Sequence, residues 1–189
     1  MKRNKKTRGL LAALAVVATA VSTSWSASDS IVLLVTPQCN EVIVVSAAPE
    51  PYNFGSIAYG LTTHSTRAIS VSNTGSCQDT WDLQVAPTGG GVAWTADTAP
   101  GTDVFSLSAK FTAAATTTQP ATSGFDANDI VDDGAATPCT ASKFDGDATC
   151  IDVPAGGVRN LWFKLALPLA STDPTQVEHT LTVTVTTAP

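Results

Sequence analysis

A two-residue alternation of apolar and polar side chains recurs in short runs along the body of this chain and restricts what it can fold into. Phe105, Leu107, Ala109 and Phe111 alternate with Ser106, Ser108 and Lys110, and Leu161, Phe163, Leu165 and Leu167 repeat the pattern. Leu181, Val183 and Val185 alternate with threonines almost to the last residue. Successive side chains of a strand point to opposite faces, so such runs predict strands with one buried and one wet face. Arg67–Asn73 turns Ile69 and Val71 one way and ends at the turn signal Asn73-Thr74-Gly75. Trp81, Leu83 and Val85 share a face before the break at Gly89-Gly90-Gly91, and Val92–Thr95 is a shorter run. Ser30–Thr36 and Glu41–Ala47 are β-branched and apolar almost throughout and are separated by Pro37-Gln38-Cys39-Asn40. They read as strands buried on two faces, or as a hairpin. Nothing in the body sustains a 3.6-residue period with capping residues. Roughly eight to ten strands bounded by Pro, Gly, Asn or Asp predict an all-β chain, an antiparallel β-sandwich of immunoglobulin-like or jelly-roll type.

The head is different. Lys2, Arg3, Lys5, Lys6 and Arg8 lead into the apolar segment Leu10–Val21 and then into Ser-Thr-Ser-Trp-Ser-Ala, the layout of an export signal. Leu10–Val21 is too short for a bilayer, which takes about 20 apolar residues. Ser24-Trp25-Ser26 satisfies the small-x-small rule, so residues 1–26 are expected to leave as a signal peptide and 27–189 to form a single domain. The alternatives are a poorer cut after Ala20 and an uncleaved anchor. No later segment reaches spanning length. All sixteen acids lie from Asp29 onward, against only Arg67, Lys110, Lys143, Arg159 and Lys164. So acidic a body excludes nucleic acid, whose phosphates need clustered cations. The product is expected to be secreted, extracellular or at the cell surface.

Cys39, Cys77, Cys139 and Cys150 in an exported chain point to two disulfides. Of the three pairings, Cys39–Cys77 with Cys139–Cys150 is favoured, because the second closes a short loop and the first then joins two strands near the N-terminal end. The spacing lacks the close pairs that turn two thiolates towards one zinc ion.

Between about 112 and 150 the alternation lapses. Ala113–Gly124 is a Thr/Ala/Gln/Pro/Ser stretch, followed by a run of acids. An insertion of this length is either a decorated outer face, with a short helix or hairpin near Asp126–Asp132, or the part that meets partners. Asp126, Asn128, Asp129, Asp132 and Asp133 lie close enough in sequence to offer several oxygens to a calcium ion, with Asp145 and Asp147 to complete the shell. Their spacing is not that of an EF-hand, and a solvated acidic loop is the competing reading. No other cofactor is expected.

Tyr52-Asn53-Phe54-Gly55-Ser56-Ile57-Ala58-Tyr59-Gly60, followed by Ala68-Ile69-Ser70-Val71-Ser72-Asn73-Thr74-Gly75, resembles the opening of bacterial immunoglobulin-like surface domains of abnormal-spindle/Hydin pattern. Val153-Pro154-Ala155-Gly156-Gly157 before Leu161-Trp162-Phe163-Lys164-Leu165, with a closing Thr-Val-Thr strand, resembles the ending of secreted bacterial sandwich proteins. The resemblance covers about two thirds of the body and implies an extracellular structural or adhesive role. It brings no catalytic residues. The acidic insertion and the cysteines depart from the simplest form of the pattern.

Motifs for chemistry are missing. His64 and His179 lie in different segments, outside any metal-binding or catalytic spacing, and read as surface residues. The glycines at 89–91 precede no Lys-Ser/Thr and no helix, so they form no phosphate cradle. Trp162 lies opposite the Leu161/Phe163/Leu165 face and is a candidate surface contact, with burial under the insertion and a ligand platform as the other readings.

The expectation is therefore a non-enzymatic structural subunit that associates with copies of itself as a filament, pilus-like appendage or surface layer. A secreted carbohydrate-binding or adhesion module is the alternative. Ile31, Val32, Leu33, Leu34 and Val35 are the expected assembly strand, apolar on both faces and near the mature end. Burying them contributes roughly 8–15 kcal/mol before the cost of association. The competing reading returns that strand to its own sheet.

Overall fold

A computed structural model describes residues 39–88, 90–173 and 178–188. Residues 1–26, the expected signal peptide, and the expected assembly run Ile31–Val35 lie outside the described residues, as does the expected strand Ser30–Thr36. The described chain is nearly all β, without an α-helix, and its two sheets pack as a sandwich. Its strands are β1 (Ile43–Ser46), β2 (Thr62–His64), β3 (Ile69–Asn73), β4 (Trp81–Thr88), β5 (Thr95–Ala96), β6 (Val104–Ala113), β7 (Thr137–Pro138), β8 (Val158–Ala166) and β9 (Thr180–Thr187). One sheet runs β1-β3-β8-β6-β5, with β2 also paired to β8, and the other runs β7-β4-β9. All pairs are antiparallel except the short β5–β6 pair.

The alternation places the core. In the β6–β8 ladder Leu107 lies opposite Leu165, Ala109 opposite Phe163 and Phe111 opposite Leu161, so one apolar face is continuous across both strands. Trp81, Leu83 and Val85 of β4 oppose it from the second sheet, all fully buried. The Trp81 and Phe111 rings, 5.5 Å apart, join the two layers. Each fully buried side chain of this size contributes about 1.5–3 kcal/mol.

Both favoured disulfides are present, Cys39–Cys77 and Cys139–Cys150. On the chain-entropy model they contribute about 4 and about 3 kcal/mol. Cys139 and Cys150 are themselves core residues, and the Cys139 amide donates to the Trp81 carbonyl while the Trp81 amide donates to that of Cys150. The bridge thus pins the insertion to the first residue of β4.

Two expectations are corrected. Ser106, Ser108 and Thr112 are buried, so β6 has no wet face. The insertion lies over it, and hydroxyls that read as solvent-facing sit beneath a second layer of chain. Glu41–Ala47 yields only β1, a strand at the sheet edge with Val44 and Val45 exposed, rather than one buried on both faces.

Candidate functional site

The two lateral sides of the sandwich differ in character, and each difference follows from what lies beside its edge strand. On one side, β1 ends the first sheet and β9 ends the second, and the two approach each other. Val45 is directly opposite Val71, and cross-strand partners share a face, so both point into the sandwich. Val71 is fully buried, yet Val45 is 43% exposed. In the second sheet Val183 is opposite Val85 and Val185 opposite Leu83. The β4 partners are fully buried, whereas Leu181, Val183 and Val185 are only half-buried. Apolar residues on the inner faces of both edge strands are therefore wet, and the seam between the sheets is open. Neither β1 nor β9 contains a charge or a proline, the usual guards of a sheet edge.

The seam is held from one end. The Cys39–Cys77 disulfide joins the chain just before β1 to the loop entering β4. The Asn40 amide donates to Ser76 Oγ at 3.0 Å, and the Ser76 amide returns to the Asn40 carbonyl at 2.9 Å. Gly75 permits this, since a Cβ there would lie 2.2 Å from the Asn40 carbonyl oxygen.

On the other side the insertion closes both sheets. The amide of Val131 donates to the Leu107 carbonyl at 2.8 Å, the Phe111 amide to the Phe144 carbonyl at 2.9 Å, and the Ala113 amide to Asp147 Oδ1 at 2.7 Å, so the far edge of β6 is occupied. A Cβ at Gly146 would lie 2.0 Å from the Phe111 carbonyl oxygen, so this close approach requires glycine. Further along, β7 pairs with β4 and closes the second sheet.

The acids weighed for calcium make hydrogen bonds that hold the insertion's turns. Where the sequence predicts a short helix or hairpin, Asp126 caps a 3-10 turn, Ala127–Asp129: its Oδ1 accepts from the Asn128 amide at 2.7 Å, and Asp129 Oδ2 accepts from the Asp126 amide at 2.9 Å. Asp129, 1% exposed, also accepts from the Phe144 amide at 3.1 Å and pairs with Lys110 at 3.1 Å. Burial raises its carboxyl above the ordinary value, opposed by the Asp126 amide and by Lys110. Asp132 accepts from the Gly134 amide and Asp133 from the Ala96 amide. Asp147 is held below the ordinary value by the Thr116 hydroxyl and the Ala113 amide. Among the described residues no three Asp, Glu, His or Cys side chains form a group that could hold a metal ion.

Trp162 is not a surface contact. It is 1% exposed beneath the insertion and donates from Nε1 to Thr112 Oγ1 at 3.0 Å. The sequence left its cover open because the polar neighbours on its face, Lys110 and Lys164, are themselves partly covered. Neither histidine is a plain surface residue. His64 is half-buried with its pKa lowered by burial and then by Lys164, and His179 stacks on Trp94 at 3.7 Å. A cleft of about 410 Å³ opens on the outer face between β6, β8 and the insertion, lined by Ser106, Ser108, Phe125, Asp126 and Lys164 among others.

Leu181, Val183 and Val185 were legible as an apolar face but not as a wet one. Their outward neighbours carry the signal that was available, since Thr180, Thr182, Thr184 and Thr186 leave the strand without charge. No family model, curated protein or solved structure matches this chain. The two disulfides are compatible with an extracellular location, and no helix among the described residues is long and apolar enough to cross a membrane.

Proposed function

We propose that the chain is exported and serves as a non-enzymatic structural subunit that associates with copies of itself into a filament, pilus-like appendage or surface layer. The carrying observation is the open seam, where uncharged edges of both sheets leave inner-face valines and a leucine half-wet. A monomer gains nothing from such a surface, whereas an assembly buries it. The resemblance to bacterial surface sandwiches supports the same reading. A ligand-binding module is the second reading, favoured by the outer cleft, whose hydroxyls, one aromatic ring and one lysine suit a small polar ligand. Sedimentation velocity and negative-stain microscopy of the chain beginning at Ala27, over rising concentration, separate the two. Extended assemblies growing with concentration are expected. A monodisperse monomer throughout, retained on a glycan or protein column, contradicts the structural reading.

A further inference from the structure

We propose that the free edge of β9 accepts the segment Ile31–Val35 of a second copy of this chain as an added antiparallel strand, an inference that rests on the self-assembly reading above. Among the described residues β9 has one strand partner, β4, and its other edge runs unguarded for eight residues. An incoming strand must be apolar on its inner face, to cover Leu181, Val183 and Val185 of β9 and the inward-pointing Val45 of β1. Ile31-Val32-Leu33-Leu34-Val35 is apolar at every position, so either choice of inner face meets this, and its β-branched content suits a strand. The other apolar stretch outside the described residues, Leu10–Val21, is alanine-rich and belongs to the export head.

The tether at Cys39 separates a neighbour's strand from the chain's own. Cys39 is bonded to Cys77, three residues before Thr80, and the Thr80 carbonyl accepts from the Ala188 amide just past β9. The chain upstream of Cys39 therefore emerges at the C-terminal end of β9. A segment returning to its own edge has to run parallel to β9. A neighbour's segment carries no such restriction and pairs antiparallel, the arrangement with the more favourable hydrogen bonds. Donating a strand leaves the donor's own β9 edge vacant for the next copy, so the contact is head-to-tail and open-ended.

Cross-linking tests this on the chain beginning at Ala27. Normal and 15N-labelled protein are dissociated in denaturant with disulfides intact, mixed and allowed to reassemble. Each carries the photo-activated residue p-benzoylphenylalanine in place of Thr182, Thr184 or Thr186, all exposed. Mass spectrometry of the joined peptides is expected to find residues 31–35 captured in mixed-isotope pairs as often as in like pairs. The captured position should move from Val35 towards Ile31 as the probe moves from 182 to 186. Assemblies whose cross-links lead elsewhere, or run in the opposite order, overturn the antiparallel β9 assignment and leave self-assembly standing. Monomers cross-linked only within one copy, with no assembly at any concentration, overturn both.

Discussion

The two lateral sides of the sandwich begin from the same problem, an exposed row of strand hydrogen-bonding groups, and end differently. The β6 edge is closed by some forty residues of the chain's own insertion, fastened by backbone pairing at Leu107 and Phe111, by Asp129 on Lys110 and by the Cys139–Cys150 bridge. The β1/β9 side receives from the described chain only an end tether, the Cys39–Cys77 bridge with the Asn40–Ser76 hydrogen bonds beside it, and no added strand. A chain that spends so long a loop on sealing one edge has the means to seal an edge. On the proposed self-assembly reading, the opposite edge, eight uncharged residues of β9 against ten in β6, is a surface for an added strand rather than a lapse in protection.

The largest expected effect falls on the sealed side. Asp129→Ala leaves Lys110, largely buried, without its charged partner, though still bonded to the Asp145 carbonyl, and two backbone amides without their acceptor, and should cost about 3–5 kcal/mol in denaturant unfolding. Combining Asp129→Leu with Lys110→Met should recover part of that loss, because no buried charge is then unpaired. Next is the bridge. Replacing Cys139 and Cys150 by alanine should cost about 3 kcal/mol and open new proteolytic cuts between Thr112 and Cys150. Cuts spreading equally into β8 and β9 would show that the bridge holds the whole sandwich rather than the seal.

A smaller effect sharpens the contrast across one ladder. Val85 and Val183 are directly opposite, the first fully buried and the second half-buried. Val85→Ala should destabilise the monomer by roughly 2 kcal/mol and Val183→Ala by about half as much. In assembled protein the Val183→Ala cost should rise towards that of Val85→Ala. The smallest effect is the pH dependence. Burial raises the carboxyls of Asp79, Asp82 and Asp129 above 3.8, so the stability they contribute is full below that value and is lost as pH rises through their folded-state values. Hydrogen bonds lower Asp103 and Asp147, whose contribution is present above 3.8 and lost as pH falls through their folded values. Thermal unfolding should therefore give a higher midpoint at about pH 4 than at neutral pH, and Asp82→Asn should narrow that gap.

The inner faces of β3, β4, β6 and β8 were readable because alternation is local: Ile69, Val71, Trp81, Leu83, Val85 and Phe111 point where their spacing says. Both disulfides followed from spacing as well. What lies on top of a face is not local. Ser108 and Trp162 read as outward and are outward from their sheet, but Phe125 and Asp129, far off in sequence, arrive to cover that face. The same limit hid the seam. A β-branched run such as Glu41–Ala47 has the composition of a buried strand, and only the sheet order puts Val45 at an edge, where it is partly exposed. The acids near 126–133 were readable as a cluster in sequence but not as turn caps, because capping depends on which amides the backbone turns towards them.

Deleting Ala27–Val35 asks whether a neighbour's strand fills the seam. A soluble monomer is expected that keeps a cooperative unfolding transition, retains both disulfides and no longer assembles at concentrations where the intact chain does. Insoluble or unfolded protein after the deletion would contradict that expectation, because the strand would then belong to its own core.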